Sequence, residues 1–124
     1  MIHVPPSDLH RHWHYVKEGL KKVKQKSYSN WIPEDVYSAL RNGTSTLHLV
    51  DGGFVVLTPQ NDFDGVTLFV WIAYGEGDVW IKHAPEVEKM AKNMNAKRIR
   101  FHSSREGWGR RYKKVASIYE KELP

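Results

Sequence analysis

The residues that could do chemistry are concentrated in two short segments of the last third of the chain. The first is residues 75–78, Gly-Glu-Gly-Asp, which separate an apolar run from an amphipathic one. Where a glycine turn joins a strand to a helix, free backbone N–H groups and the helix dipole converge and can bind an anion. The second segment is residues 104–112, in which arginines and Tyr112 surround Trp108. If the strands that precede the two segments pair, both segments lie beside one pocket, and the pattern predicts an anion-binding site there.

The acidic residues of the first segment favour a simpler interpretation. Glu76 and Asp78 would place two carboxylates where a helix N-terminus otherwise favours phosphate. A lone pair of glycines is a weak motif, and Asp78 could cap the helix that it precedes. The segment is therefore either an anion site or a plain turn.

A histidine cluster near the start of the chain has the spacing of a metal site. His10 and His14 would share one face of a helix, with His12 close by. No third ligand can be identified, and Trp13 between them belongs to an apolar stripe. We expect a surface cluster that holds no metal.

The tryptophans allow two interpretations. Trp31, Trp71 and Trp80 could stack nucleic-acid bases, but they occupy positions where the pattern predicts core. Trp108 differs because it lies between Gly107 and Gly109, which indicates a tight turn. We expect Trp108 to anchor the C-terminal helix against the sheet.

Length and composition predict one domain. The chain has 124 residues, which suffice for a single core, and its hydrophobic fraction of 40% favours a packed globule. It has no cysteine, which excludes disulfides, a thiolate nucleophile and a cysteine-based zinc site. No apolar run approaches the length of a membrane span, and the first residues lack the apolar region of a signal peptide. Synthesis in the cytoplasm is the expectation.

The formal net charge of +5 raises the question of nucleic-acid binding. Two of the three basic regions, residues 17–26 and 89–100, have the pattern of solvated helix faces. The third, residues 105–114, mixes arginines with Trp108 and Tyr112 and could contact phosphate or an acidic protein surface. Charge alone does not establish binding to DNA.

Hydrophobic periodicity and turn residues predict the elements that must position these groups. They are a helix over residues 8–24 with Ser7 as N-cap, a short helix from Pro33 to a stop at Asn42-Gly43, a hairpin around Asp51-Gly52-Gly53, a polar loop over 59–65, a strand over 66–73, a helix over 79–95 complicated by Pro85, a strand over 97–102, a short helix over 108–113 and a last strand over 117–123. This order predicts an α/β (α+β) fold, with a central mixed sheet flanked by helices in a single domain over residues 1–124.

Three stretches of the chain resemble a known family. Residues 35–43 carry an Asp-Val helix that ends at a glycine, residues 75–80 carry a glycine pair before a tryptophan, and residues 105–123 carry a Gly-Trp segment. In these stretches the chain resembles small GNAT-like proteins of tailed bacteriophages, which have the acetyltransferase fold of the GNAT superfamily. The resemblance covers about residues 31–123. It implies a location in the host cytoplasm, in the virion, or in both.

The resemblance also implies site residues. In the superfamily a glycine turn binds the pyrophosphate of acetyl-CoA, a base takes a proton from the acceptor amine, and an acid serves the departing thiolate. The implied cofactor-binding set is Gly75, Gly77, Asp78, Arg105, Trp108 and Arg110. The implied catalytic pair is Tyr112 as the acid and Glu76 as a base, with Asp64 and His102 as further candidate bases.

One departure from the superfamily pattern changes the functional expectation. The pyrophosphate loop of the superfamily has a basic or amide residue at a position that Ile72 occupies here. Together with the acids Glu76 and Asp78, this favours a fold kept without its catalysis. We expect a non-catalytic phage protein that holds no cofactor and binds other virion or assembly proteins. The alternatives are an active N-acetyltransferase that uses acetyl-CoA, and a small basic nucleic-acid-binding protein.

Overall fold

A computed structural model of the chain describes residues 1–75, 79–103, 108 and 111–124. These residues contain five strands, three α-helices and one 3-10 turn. In chain order they are β1 (Ile2–Val4), the 3-10 turn (Pro6–Asp8), α1 (Leu9–Lys26), α2 (Pro33–Arg41), β2 (Thr46–Val50), β3 (Gly53–Asp62), β4 (Gly65–Gly75), α3 (Val79–Asn93) and β5 (Arg98–Phe101).

The strands form one mixed sheet in the order β1-β2-β3-β4-β5. The first four strands pair antiparallel, and β5 pairs parallel with β4. A parallel pair needs a crossover connection, which α3 supplies between β4 and β5. The predicted α+β fold with a central mixed sheet and flanking helices is confirmed.

The sheet buries a separate core on each face. On one face α1 and α2 pack through Val16, Leu20 and Val36 onto Phe54 and Val56. On the opposite face α3 packs onto the alternate residues of β3 and β4. These are Val55, Leu57, Leu68 and Val70, which meet Val87 and Ala91 of the helix. Because side chains alternate along a strand, residues from both cores follow one another along β3.

A β-bulge changes the direction of β4 halfway along its length. Val56 pairs with Ile72 and its neighbour Leu57 pairs with Val70, so Trp71 is the extra residue of the bulge. A bulge bends its strand and shifts the alternation of side chains. As a result, Leu68 and Val70 face α3, whereas Ile72 faces α1 and α2.

Several predicted boundaries agree with the structure. The apolar stripe of α1 is buried or half-buried along its length, and α2 begins at Pro33, where the Ile32 N–H donates to Asp35 Oδ2 at 2.9 Å. Gly43 has a φ of 81°, as expected for the glycine that follows a helix end. The Asp51-Gly52 turn joins β2 to β3 as predicted.

The predicted polar loop over residues 59–65 is wrong, because β3 continues to Asp62 and β4 begins at Gly65. Proline suggested a break in the strand. However, β2 begins at Thr46, opposite Leu57, and does not reach Pro59, so no strand on that edge needs the N–H that proline lacks.

The chain ends also differ from the prediction. Residues 2–4 form β1, which the sequence analysis missed because three residues show no period. Ser7 lies inside the 3-10 turn and does not cap α1. The predicted strand over 117–123 is wrong, since residues 113–124 have no regular secondary structure. The predicted helix over 108–113 reduces in the described part to one turn, in which the Arg111 and Tyr112 N–H groups both reach the Trp108 carbonyl.

Candidate functional site: a cleft where two strands diverge

The candidate site lies where β4 and β5 stop pairing. The last paired residues are Val70 and Phe101. Beyond them β4 continues through the bulge to Gly75, and none of the described residues pairs with its Trp71–Gly75 stretch on the β5 side. Backbone N–H and C=O groups need partners, so an unpaired strand edge can bind a ligand or another chain.

A cleft of about 460 Å³ lies beside this unpaired edge. Val79 and Trp80 of α3 line it on one side, and Trp31 and Trp71 line it from the side of α1 and α2. The cleft therefore has two compartments, one on each face of the sheet. We call them the α3 compartment and the loop compartment, the latter after the connection between α1 and α2.

Aromatic rings form the wall of the α3 compartment. The rings of Trp80 and Trp108 lie 5.9 and 5.0 Å from the ring of Phe101, and Trp108 Nε1 donates to Ser103 Oγ at 2.9 Å. Trp108 thus packs against the sheet, as its glycine neighbours suggested. The indole N–H of Trp80 is buried and has no acceptor among the residues that the structure describes. A buried donor without a partner is costly, so a ligand carbonyl is one group that could satisfy it.

The loop compartment is formed by residues 27–31 and by side chains of β4. The rings of Trp31 and Trp71 meet edge to face, with centroids 6.5 Å apart. The ammonium of Lys24 lies 4.9 Å from the Trp31 ring centroid and donates to the Trp31 carbonyl and, at 3.3 Å, to Ser29 Oγ. Lys24 therefore holds the connection between the helices in place from beneath.

Two polar side chains complete the loop compartment. The imidazole of His102 lies 4.9 Å from the ring of Phe69 and is exposed. The hydroxyl of Tyr28 is 3.5 Å from Glu120 Oε1, and Ile118 lines the cleft nearby. The segment after Trp108 thus contacts the mouth of the cleft.

Of the implied cofactor-binding set, the described members are Gly75 and Trp108, and both line the cleft. A Cβ at Gly75 would lie 2.6 Å from Val79 Cγ2, so this glycine lets the first turn of α3 pack against the end of β4. Gly77, Asp78, Arg105 and Arg110 lie outside the described residues, as does the candidate base Glu76.

Ile72 has a structural role. Its side chain is 3% exposed and belongs to the core under α1 and α2, although its backbone borders the cleft. A side chain that faces this core cannot contact a phosphate on the α3 face. The position that is basic in the superfamily is therefore used for packing.

The described catalytic candidates differ in their relation to the cleft. Tyr112 packs on Phe101 and Trp108, with centroids 5.0 and 5.9 Å apart, and is not among the described residues that line the cleft. Its role as an acid stays a prediction. His102 lines the cleft.

Asp64 is wrongly placed for a base in this cleft. It lies in the turn that precedes β4, whereas the residues of β4 that line the cleft begin at Phe69, about 17 Å farther along the strand. The hydrogen bond and charge of Arg98 also hold the pKa of Asp64 below its usual value.

The loop compartment was not predicted from the sequence. The prediction that Trp31 and Trp71 belong to the core is confirmed, but both also line the cleft, and Tyr28 and Phe69 were not singled out. Their alternation within apolar runs resembles any buried pattern, and only a divergence of the strands exposes these rings to a cavity. A residue type that fits core and pocket equally well carries no signal of its own.

The histidines show no metal site. The described residues contain no group of three or more metal-ligating side chains, and His10 and His14 are exposed. His48 is buried between strands and its ring forms a hydrogen bond with Thr46 Oγ1 at 2.9 Å, and burial lowers its pKa to about 4.

None of the helices in the described part of the chain has the length and apolar character that a membrane span requires.

Several solved structures to which the chain is similar are acetyltransferases or probable acetyltransferases. The chain superposes on a probable acetyltransferase with a TM-score of 0.67 at 16% identity, covering 99% of this chain and 95% of that one. A ribosomal-protein-alanine N-acetyltransferase from Brucella melitensis biovar Abortus 2308 gives 0.67 at 13% identity, with coverage of 98% and 96%. An aminoglycoside acetyltransferase from an uncultured soil metagenomic sample, in complex with sisomicin, gives 0.67 at 8% identity, with coverage of 98% and 94%.

These likenesses establish that the chain has the GNAT acetyltransferase fold. No protein-family model matches the sequence, and no curated protein matches it at a significant level.

Proposed function

We propose that the protein binds an acyl-CoA in the cleft and transfers the acyl group to an amine. The observation that carries this proposal is the unpaired stretch Trp71–Gly75 of β4 beside a cleft at the start of α3. An acyl-pantetheine arm has two amide groups. It can therefore pair with an open strand edge as an added strand does.

The residues of the α3 compartment fit such an arm. Ala73 is exposed and lines the cleft, so the strand surface is not blocked by a large side chain. The Trp80 N–H and the backbone N–H groups of β4 are donors that an acyl or amide carbonyl can use. When bound, the thioester supplies the acyl group, and the amine displaces the thiolate.

His102 is the described group best suited to take the proton from the amine. It lines the cleft on the side of the loop compartment, and a neutral imidazole nitrogen can accept a proton. The acid that protonates the departing thiolate stays with the predicted Tyr112, and Glu76 stays an alternative base. Gly77, Asp78, Arg105 and Arg110 stay candidates for the phosphate end of the ligand.

Thermal unfolding with coenzyme A tests the binding step. A ligand at a hundredfold excess over its dissociation constant adds about 2.7 kcal/mol to the free energy of unfolding. We expect Tm to rise with coenzyme A, and free thiol to appear when acetyl-CoA and an amine are both present. An unchanged Tm at millimolar coenzyme A would overturn the proposal.

A pair of variants locates the binding. Ala73→Phe should fill the α3 compartment and remove the shift in Tm, while costing little stability because position 73 is exposed. Asn61→Phe is the matched control, since Asn61 is exposed at the opposite end of the sheet. A shift that survives Ala73→Phe would place coenzyme A elsewhere on the protein.

A second candidate function is supported by the burial of Ile72. If the phosphate end of the ligand has lost its partner there, the fold can serve as a phage virion or assembly protein that binds other proteins without catalysis. In that case coenzyme A leaves Tm unchanged and the protein co-purifies with phage particles. Nucleic-acid binding, the remaining alternative, requires duplex affinity that falls steeply with salt.

A further inference from the structure

We propose that the loop compartment accepts an aromatic amine that is uncharged at neutral pH, and that it disfavours alkyl ammonium groups. The inference rests on the proposed acyl transfer and adds the class of acceptor. It comes from two observations: the ammonium of Lys24 lies on the ring of Trp31, and Trp31 lines the cleft together with Trp71 and Phe69.

Lys24 already supplies a cation to the ring of Trp31 from behind the wall of the cleft. Tryptophan is the aromatic residue that attracts cations most strongly, and an ammonium is held within about 6 Å of its centroid. Here that attraction is already used, because Lys24 Nζ lies 4.9 Å from the centroid of Trp31. Its hydrogen bonds to the Trp31 carbonyl and Ser29 Oγ keep it there.

A second cation in the compartment would meet Lys24 as a like charge. Ser29 and Trp31 both line the cleft, so the partners of Lys24 are part of its wall. Repulsion between like charges disfavours the protonated form of a bound amine. The acidic side chain seen near this mouth, Glu120, approaches Tyr28 at 3.5 Å and does not line the cleft.

The remaining lining favours a flat apolar group. Trp31 and Trp71 are set edge to face, and Phe69 with His102 supplies a further aromatic pair at 4.9 Å. Aromatic rings prefer offset-stacked and edge-to-face neighbours, and such pairs contribute beyond the area they bury. A phenyl ring can make these contacts, whereas a flexible polyamine cannot.

The chemistry of the step agrees with this choice. The nitrogen of an aryl amine is unprotonated at neutral pH, so its lone pair attacks the thioester carbonyl carbon without prior loss of a proton. The C–S bond breaks, the nitrogen loses one proton as the amide forms, and the thiolate gains one. His102 can accept the proton that the nitrogen loses.

The test compares two isomeric acceptors, p-toluidine and benzylamine, which have the same atoms but differ in charge at pH 7. Thiol release from acetyl-CoA gives kcat/KM for each, after the rate without protein is subtracted. We expect kcat/KM for p-toluidine to exceed that for benzylamine by about tenfold, as the combined result of aromatic contacts and charge. Spermidine should be no better than benzylamine.

Two variants assign the preference to its residues. Lys24→Gln removes the cation from the ring of Trp31, and we expect it to lower the ratio of the two kcat/KM values about fivefold by improving benzylamine. Trp71→Leu should lower the ratio by weakening p-toluidine. Because each ratio comes from one preparation, a partly unfolded variant does not change it.

The outcomes separate this inference from the proposed function. If coenzyme A binds but benzylamine or spermidine is the better acceptor, the inference is wrong and the transfer function stands. If coenzyme A does not bind, quenching of tryptophan fluorescence by each isomer still ranks them. Equal or stronger binding of benzylamine in that assay would also overturn the inference.

Discussion

The two ends of β4 are built in opposite ways. At its beginning β4 pairs with β5, and Arg98 Nη1 lies 3.0 Å from both Asp62 Oδ2 and Thr67 Oγ1 and also bonds to Asp64. At its end the strand turns away at a bulge, and the described residues leave one edge unpaired. One end satisfies its polar groups within the chain, whereas the other has no strand partner on one edge among the described residues.

The difference shows how a small fold can combine rigidity with an open site. Paired strands and a network of charge-assisted hydrogen bonds hold β4 and β5 together over four residue pairs. We call this network of Arg98, Asp62, Asp64 and Thr67 the clamp. Beyond the clamp the two strands are not paired with each other, so their divergence breaks no backbone hydrogen bond. The position of the cleft is therefore set by where the pairing ends.

The largest expected effect comes from the support beneath the open end. Phe54 is completely buried, and its ring lies 5.2 Å from the ring of Tyr74 on the open half of β4. Phe54→Ala should lower the free energy of unfolding by about 3–5 kcal/mol, because it leaves a cavity. Urea denaturation measures this loss. A loss below 1 kcal/mol would mean that the open half of β4 is not held by this core.

As the pH falls, the contribution of His48 in β2 to the free energy of unfolding should be lost before the contribution of the clamp. Burial, and then the charges of His3 and the N-terminal amine, lower the pKa of His48 from 6.5 to about 4. The unfolded chain therefore binds this proton more tightly, so the stability is fully present above pH 6.5 and falls as the pH drops toward 4. The difference amounts to about 3 kcal/mol.

The free energy of unfolding measured between pH 7 and pH 4 checks this expectation. His48→Gln removes the titrating group, and the fall over that range should become shallower than in the unchanged protein. The other histidines are the same in both proteins, so the difference between the two curves reports on position 48. If the free energy of unfolding falls equally steeply in both proteins, His48 does not control the loss of stability at acid pH.

A smaller effect is expected at the strand end. In Gly75→Ala the new Cβ would lie 2.6 Å from Val79 Cγ2 and 2.8 Å from Val79 Cβ. Overpacking of this kind costs about 1–3 kcal/mol. The double variant Gly75→Ala/Val79→Ala should recover most of the loss in a thermal unfolding experiment. If the double variant is as unstable as the single one, Gly75 is needed for another reason.

The smallest effect on stability at neutral pH is expected at the clamp. The side chain of Arg98 is about one third exposed, and exposed ion pairs contribute little. The hydrogen bond from Thr67 Oγ1 lowers the pKa of Asp62, and that from Arg98 lowers the pKa of Asp64. These carboxylates therefore stabilise the fold above their unfolded pKa values and lose that contribution as the pH falls below them.

Arg98→Met should raise the pKa of Asp64 toward its ordinary value, which NMR titration of the carboxyl carbon can measure. Arg98→Lys keeps the positive charge but lacks the planar guanidinium, so it should raise the pKa of Asp64 less. Coenzyme A binding should not change in either variant, because the clamp and the cleft lie at opposite ends of β4. A change in binding would show that the two ends are coupled.

The regular elements were predicted from the sequence where a long period or a strong turn residue marked them. The stripe of α1, the start of α2 at Pro33 and the Asp51-Gly52 turn all follow from local rules. The errors fall where local signals are short or ambiguous, at β1, at Pro59 and after Trp108. At Pro59 the deciding fact was the end of β2 opposite Leu57, which is a property of the sheet.

The candidate site was predicted only in part. Glycines and Trp108 indicated where a ligand could lie, because a glycine turn after a strand has a known use. The loop compartment depends on the bulge at Trp71 and on Lys24 reaching Trp31, and neither follows from spacing along the chain.

The amino-acid sequence by itself determined the α+β fold, because periodicity, turn residues and capping act over a few neighbouring positions. The motifs in residues 35–43, 75–80 and 105–123 separately carried the resemblance to the GNAT superfamily. Only the tertiary structure decided that Ile72 faces the core, that β4 and β5 part after Val70, and that Trp31 and Trp71 line a cavity. These features depend on strand pairing between distant residues. The same apolar side chain is core or pocket wall according to whether a neighbouring strand covers it.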